Sequence, residues 1–305
     1  MKKTIVAAAV AALVAAPAAF AEVSISGQIN VEFSDNETGD SSGDYHSDVV
    51  LKGSEDLGNG MKAGFVYHLV SDGDGNDAGA VAVGGDTAIS LSGDFGTVSA
   101  GRMEPFIENK LASIANIDAS EELDLEFNPG TGESINAGRS DTGVRFVSNN
   151  MNGLTVGVEA YADENVGTDD WDTTAIYVKY SNGGLTVQAA SESNEEALVG
   201  DTTAYSIQYA MGDISVRAVN VDLDSPTAGD DAEETMVGAT YTMGSNQFAI
   251  GSIVDAKGTN VAARDGDTIY SLKHSLSKST SVYLVHFSDD TGTADQTLVG
   301  MKHSF

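Results

Sequence analysis

The chain ends on the stretch Gln296-Thr297-Leu298-Val299-Gly300-Met301-Lys302-His303-Ser304-Phe305, whose side chains alternate in character. In an extended strand, successive side chains point to opposite faces. One face therefore carries Thr297, Val299, Met301, His303 and Phe305, and the other carries Gln296, Gly300, Lys302 and Ser304. The pattern predicts a β-strand that runs up to an aromatic last residue.

The first 21 residues have the pattern of a cleaved secretion signal. Two lysines precede an apolar run over 5–16, and Ala19-Phe20-Ala21 gives a small-x-small cleavage site. The apolar run is shorter than the roughly 20 residues that a membrane-spanning helix needs, and no other stretch is long enough. We expect a signal peptide at 1–21 and one mature domain at 22–305.

Composition narrows the class of protein. The 305 residues hold 46 Asp and Glu against 15 Lys and Arg, a formal charge of −31, so binding to the phosphate backbone of nucleic acids is excluded as a function. There is no cysteine, which rules out disulfides and thiolate metal sites. The scarcity of proline (4), the abundance of glycine (34) and the many strand-forming residues favour a long β-meander with tight turns.

Alternating segments recur along the whole chain and predict sixteen strands. Short connections rich in Gly, Asn and Asp, such as 56–60, 94–96, 181–184 and 211–213, alternate with longer acidic ones, such as 34–44, 71–85, 163–171 and 222–233. An even strand count with short turns at one end is typical of a bacterial transmembrane barrel. The expected strands are 23–33, 45–55, 61–70, 86–93, 97–102, 139–147, 154–162, 172–180, 185–192, 201–210, 214–222, 234–242, 246–255, 266–275, 280–287 and 295–305.

Strand length favours a transmembrane barrel over a soluble β-sandwich, whose strands also alternate between apolar and polar side chains. In 154–162, one face carries Leu, Val, Val and Ala, and the other carries Thr, Gly, Glu and Tyr. Many segments have about nine to eleven residues, the length that a tilted strand needs to cross a bilayer. Tyr and Phe also fall near strand ends, as in the aromatic girdles of outer-membrane barrels.

The chain resembles the Gram-negative general diffusion porins over 22–305. The resemblance is carried by Glu22-Val23-Ser24-Ile25-Ser26-Gly27, by Gly93-Asp94-Phe95-Gly96-Thr97-Val98-Ser99-Ala100-Gly101-Arg102 with Pro105-Phe106 after it, and by the terminal Phe305. It implies an all-β, 16-stranded antiparallel barrel in the bacterial outer membrane, a homotrimer, and a third loop that folds inward and narrows the pore. Phe305 would be read by the barrel-insertion machinery, and outer-membrane lipid and lipopolysaccharide would surround the barrel.

The third loop would occupy 103–138, by far the longest gap between predicted strands. A connection of this length is expected only where it is functional. In porins, acids on this loop face bases on the opposite wall and set up a transverse field. The corresponding acids here are Glu104, Glu108, Asp118, Glu121, Glu122 and Asp124. Alternatively, any one of these acids belongs to a solvated surface and has no role in the pore.

The basic wall would consist of Lys52, Arg102, Arg139 and Arg145. Lys52 shares a face with His46 and Asp48, and Arg139 and Arg145 share one with Gly143. A charge on the lipid face costs roughly 2–4 kcal/mol at mid-bilayer, which favours the inward orientation. These bases are fewer than the family's usual ladder, so we expect a passive channel for ions and small hydrophilic solutes that prefers cations.

Catalytic and cofactor motifs are lacking in the sequence. The five histidines are scattered, nothing resembles a Gly-x-Ser-x-Gly elbow, and we expect neither enzymatic activity nor a cofactor. The segment 72–77 begins like an EF-hand loop, but Asp77 stands where glycine is required and Val83 where the bidentate acid is required. Weak Ca²⁺ or Mg²⁺ binding at the acidic external loops stays open.

Two other functions stay open on the sequence. A substrate-specific channel, for example for sugars, would need aromatic residues along the lumen, for which Tyr161 and Tyr177 are the candidates. A secreted acidic β-protein would share the composition but would stay soluble without detergent.

Overall fold

The computed structural model is a closed barrel of sixteen antiparallel strands, in which each strand pairs with its neighbours in the chain and the last pairs with the first. The structure describes residues 22–36, 41–73, 84–111, 140–162, 171, 173–194, 200–227, 231–258, 264–292 and 295–305, so the expected signal at 1–21 lies outside it. The strands are β1 Glu22–Asn36, β2 Ser41–Gly58, β3 Met61–Gly73, β4 Thr87–Gly93, β5 Gly96–Met103, β6 Ser140–Val147, β7 Leu154–Ala162, β8 Thr173–Asn182, β9 Leu185–Asn194, β10 Asp201–Met211, β11 Ile214–Asp224, β12 Ala232–Met243, β13 Asn246–Lys257, β14 Thr268–Ser275, β15 Thr280–Ser288 and β16 Gln296–Ser304.

The sixteen predicted strands are confirmed, with ends that differ from the expected ones by four residues at most. The largest difference is at β2, which begins at Ser41. The long connection expected at 34–44 is therefore mostly strand. The reason is that the β1–β2 ladder continues to its last pairs, Ser34 with Ser42 and Asp35 with Ser41.

The two faces of the wall are inverted relative to a soluble protein. On β1, the apolar side chain of Phe33 is 60% exposed, whereas the polar Asn30 and Glu32 on the opposite face are 0% and 3% exposed. Cross-strand partners share a face, so the pairing carries this assignment around the barrel. Exposed apolar side chains outside are what a barrel surrounded by lipid requires. The inner face is mixed, because it also carries buried apolar side chains such as Val221, Val285 and Leu298.

One end of the barrel is formed by tight turns. The β2–β3 turn uses Gly58, Asn59 and Gly60 with φ of 79°, 54° and 76°, a left-handed conformation that favours Gly and Asn. The turns at 183–184, 212–213 and 244–245 lie at this same end, because the strand direction alternates. We call it the short-turn end; the long connections lie at the other end.

The barrel closes where β16 meets β1. Phe305 and Gly27 exchange two backbone hydrogen bonds, each with an N–O distance of 3.0 Å. The Phe305 ring lies over Gly27, so a Cβ there would sit 2.8 Å from Phe305 Cζ and 2.2 Å from the Asp48 carbonyl oxygen. Closure therefore depends on glycine at this position, and the predicted terminal strand supplies the closing edge.

We expect Gly27→Ala to weaken the closed barrel by about 1–3 kcal/mol, because the added methyl group overpacks the seam. The measurement is urea-induced unfolding of the refolded barrel, followed by its heat-modifiable gel mobility. Gly43→Ala is the matched control, because a Cβ at Gly43 would lie at ordinary contact distances, 3.4 Å from the Phe33 ring and 4.0 Å from the Glu32 carbonyl oxygen. Equal losses for the two variants would contradict the role of Gly27.

Candidate functional site

The chain that follows β5 turns into the barrel. Residues 107–111 form one turn of π-helix, Ile107–Leu111, which we call the luminal helix and which packs against β9 and β10. Phe106 before it is fully buried, and its ring stacks on Tyr177 of β8 with centroids 5.1 Å apart. Tyr177 points inward, so this segment lies on the inner face of the wall. Within the described ranges, no helix is long and apolar enough to cross a bilayer.

Arg145 joins this segment to the wall. Its Nε donates to Glu159 Oε2 at 2.7 Å, and its guanidinium also donates to the Tyr161 hydroxyl and to the Glu104 carbonyl oxygen. The guanidinium carbon lies 4.6 Å from the centroid of the Phe106 ring, within cation–π distance. The arrangement follows from the β6–β7 register, which places Arg145 directly opposite Glu159 on the inward face.

Two further contacts fix the segment. Glu159 Oε1 accepts the Phe106 backbone N–H at 2.6 Å, and Gln188 Nε2 donates to the Lys110 carbonyl oxygen at 3.1 Å. The Lys110 ammonium donates to the Asn109 side chain. Burial lowers the pKa of Lys110, and the nearby charge of Arg145 lowers it further. Contacts at both ends of the luminal helix hold it against the wall.

A cavity of about 370 Å³ lies on the inner wall next to Arg145. Three bases and one acid line it: Lys52, Lys62, Arg145 and Asp86. The register aligns Ser54, Gly64, Ser90, Ser99 and Arg145 as a row across β2 to β6, so hydroxyl groups separate the bases. Such a wall can hold water and attract anions without any chemical step.

The predicted wall bases do not all lie at the same place in the structure. Lys52 and Arg145 point inward and line the same cavity. Arg102 lies on the side of β5 that carries the exposed Val98, because side chains alternate, and it donates to the carbonyl oxygens of Gly84 and Gly85 at 2.7 and 3.0 Å. The structure does not bring Arg102 together with the other two, and Arg139 lies outside the described residues.

Of the predicted loop acids, two are described. Glu104 accepts a hydrogen bond from Asn109, and its backbone N–H donates to Asp86 Oδ1 at 3.1 Å. Glu108 lies in the luminal helix. Within the described part of the chain, no group of three His, Asp or Glu side chains is placed to hold a metal ion. The predicted acids outside the described residues are Asp118, Glu121, Glu122 and Asp124.

Sequence reasoning missed several residues of this site. The anchoring roles of Glu159 and Gln188, and the inward position of Lys62, depend on the register between strands. The alternation in β7 could have indicated that Glu159 points inward, because it shares a face with Gly157 and opposes Val158. Nothing in the sequence indicates that its partner would be Arg145.

Comparison with known proteins agrees with this architecture. The family model described as Gram-negative porin matches residues 7–294. Outer membrane porin protein 32 of Delftia acidovorans is 31% identical over 217 residues, which cover 66% of this chain and 62% of that protein. Major outer membrane protein P.IB of Neisseria gonorrhoeae is 30% identical over 213 residues, which cover 62% of this chain and 56% of that protein. The matches thus span less than two thirds of these relatives' length.

Solved structures show the same fold. An anion-selective porin from Comamonas acidovorans matches with a TM-score of 0.72 and 21% identity, over 93% of this chain and 100% of that one. The Salmonella typhi OmpF complex with daunomycin matches with a TM-score of 0.75 and 14% identity, over 93% of this chain and 97% of that one. With the family match over nearly the whole length, the chain belongs to the Gram-negative porin family and is a protein of the bacterial outer membrane.

Proposed function

We propose that this protein is a passive, water-filled channel for ions and small hydrophilic solutes, without enzymatic activity. The observation that carries the proposal is a closed barrel whose inner wall bears charged side chains such as Lys52, Lys62 and Glu32, with a chain segment anchored inside it by Arg145 and Glu159. A segment fixed inside the lumen would narrow the pore. Selectivity would then come from pore width and from the local field.

The channel would prefer cations. The formal charge of −31 supports this preference, as do the acids that strands place inward near the long connections, such as Glu32, Glu192 and Glu234. The loop acids Asp118, Glu121, Glu122 and Asp124, with Glu104 and Glu108, would face Lys52 and Arg145 across the pore, with Arg139 on the same wall. The relative from Comamonas acidovorans is an anion-selective porin, so the cation preference would be a property of this chain rather than of the whole family.

The protein would be exported and assembled as other Gram-negative porins are. Residues 1–21 would be removed on export, and the insertion machinery would read Phe305. The barrel would form a homotrimer in outer-membrane lipid and lipopolysaccharide, with Ca²⁺ or Mg²⁺ bridging acidic external loops weakly and no cofactor.

A sugar-specific channel finds less support. Tyr161 and Tyr177, the aromatic residues that could guide a sugar, are 2% and 3% exposed. Tyr161 binds Arg145, and Tyr177 stacks on Phe106 and donates to Gln188. Both rings are therefore engaged in holding the luminal helix.

The test is planar-bilayer conductance of the refolded protein, with the reversal potential measured under a KCl gradient. We expect stepwise openings in groups of three and a reversal potential whose sign indicates that cations permeate better than anions. Anion selectivity would overturn the cation preference and leave the channel intact. A protein that stays soluble without detergent and forms no channels would overturn the channel itself.

A further inference from the structure

The inner face of the short-turn end is basic. Five strands each place one base within four residues of a tight turn or of the chain end: Lys62, Lys179, Arg217, Lys273 and Lys302. They lie on β3, β8, β11, β14 and β16, so they are spread around the barrel. We call these five residues the basic ring.

Strand pairing fixes the inward direction of the ring. Lys302 pairs with Asn30, Lys179 with Gln188, and Lys273 with Tyr283, and all three partners are buried on the inner face. Lys62 likewise pairs with Ser92, and Arg217 with Gln208, both on the inward face of their strands. Lys273 and Lys302 share a face two strands apart, because Tyr283, the partner of Lys273, pairs with Gly300, two residues before Lys302.

Acids do not balance the ring at this end. Among the described strands, the inward-facing acids within four residues of the short turns or of the start of β1 are Glu22 and Asp56. Glu22 lies on β1 and Asp56 on β2, where Asp56 pairs with Lys62. The other four members of the ring lie on strands that bring no inward-facing acid to this end. The inward-facing side chains of the described strands therefore carry five bases against two acids there, and Asp94 and Asp213 lie in the turns themselves.

The opposite end carries the reverse sign. Inward-facing acids near the long connections include Glu32, Glu192, Glu234 and Asp267, all buried. More acids surround the mouth at the strand ends: Asp35, Asp201, Asp222, Asp224, Asp255 and Asp290. The bases described at this end include Lys257 and Arg264, and each is bound to acids. The charge of the channel is therefore separated along its axis.

We propose that the lumen is electrically bipolar, with an acidic outer mouth and a basic ring at the inner vestibule that binds multivalent anions entering from the short-turn side. The inference rests on the proposed channel function and goes beyond it, because a field along the axis differs from one across a constriction. In barrels of this class the short turns lie in the periplasm, so the ring faces that compartment.

The physical consequence is a current that depends on direction. Cations accumulate at the acidic mouth and anions at the basic ring, because charged clefts with low-dielectric walls concentrate counter-ions. Reversing the voltage reverses whether ions are driven into or out of their enriched zones. Fixed charges act over about 10 Å at 0.1 M salt and only about 3 Å at 1 M, so the effect should vanish at high salt.

The experiment uses single channels of the full mature chain in symmetric 0.1 M KCl, with inorganic tripolyphosphate added to one side at a time. The chain has no cysteine, so Asp213→Cys in an exposed short turn reports the orientation of each channel through an impermeant thiol reagent. We expect unequal currents at opposite voltages. We also expect block from the short-turn side at a roughly tenfold lower tripolyphosphate concentration than from the other side.

The variants remove the ring without touching the anchor of the luminal helix. Lys273→Gln with Lys302→Gln should reduce the asymmetry of tripolyphosphate block and increase cation selectivity, while the acidic mouth retains part of the current asymmetry. Lys62→Gln with Lys179→Gln removes charge from two other strands and keeps the test independent if the first pair fails to fold. The matched control is Lys257→Gln, which removes an exposed base at the opposite end and should leave both asymmetries unchanged.

The outcomes separate the two proposals. Conducting channels with equal currents and equal block from both sides would overturn the bipolar lumen and leave the channel function standing. Tripolyphosphate block that stays as asymmetric in both ring variants as in the unchanged chain would overturn the assignment to these residues. A refolded protein that forms no channels at all would overturn the proposed function, and this inference with it.

Discussion

Arg145→Met should destabilise the folded barrel by about 3–5 kcal/mol, because it leaves a buried carboxylate without its counter-charge. The Glu159 side chain is 0% exposed, and Arg145 supplies its ion pair at 2.7 Å. The same guanidinium also binds Tyr161, Glu104 and the face of Phe106, so its loss releases the segment that precedes the luminal helix. We expect a lower urea midpoint for unfolding and an open-channel current with added noise and brief closures.

The double variant Arg145→Met/Glu159→Met decides whether the uncompensated charge is the cause. Replacing a buried ion pair by apolar residues of similar volume is often neutral or stabilising, so the double variant should recover much of the lost stability. Its channel current should stay noisy, because the Phe106 backbone N–H loses its acceptor. Lys257→Met, which breaks an exposed pair with Glu233, should change the unfolding midpoint little. A double variant as unstable as Arg145→Met would contradict this explanation.

The fold could be predicted because its signal is local. Alternation in β7 sets Val158 outside and Glu159 inside without reference to any other strand, and the turn residues at Gly58-Asn59-Gly60 mark a hairpin on their own. The exception is the start of β2, where the pairs Ser34–Ser42 and Asp35–Ser41 extend the ladder through polar residues. Polar sequence there predicts a loop, but backbone hydrogen bonds to the neighbouring strand decide the structure.

The site could be predicted only in part, because its contacts cross strands. Alternation is enough to turn Lys52 inward, whereas the partnership of Arg145 with Glu159 depends on the register of a hairpin. Arg102, the last residue of the porin-like motif, is basic as expected, and its guanidinium binds the carbonyl oxygens of Gly84 and Gly85, contacts that the sequence does not indicate. The basic ring could not be predicted from the sequence for the same reason. Its members lie on five separate strands and share only their short distance from one end of the barrel.

A second buried ion pair lies at the long-connection end, at the mouth of the barrel. Arg264, on the connection that leads into β14, donates to both carboxylate oxygens of Glu234 at 3.1 and 3.2 Å. Glu234 is fully buried on β12 opposite Val221, on the inward face. Asp267 lies 4.0 Å from Arg264 and accepts the Asp290 backbone N–H at 3.1 Å, which ties the β13–β14 connection to the β15–β16 connection.

Arg264→Met should therefore loosen two connections at once and leave Glu234 buried without its counter-charge, at a cost of about 3–5 kcal/mol. We expect a lower unfolding midpoint and a higher conductance, because the β13–β14 connection loses its hold on the inner wall and the mouth widens. Arg264→Met/Glu234→Met should recover the stability but keep the higher conductance, since the connection stays released. This pattern separates the two roles of the pair, because the buried charge governs stability and the attachment governs access to the lumen. If the Arg264→Met channel unfolds at a lower urea midpoint but has an unchanged conductance, the ion pair contributes to stability alone. That result would contradict its role in access to the lumen.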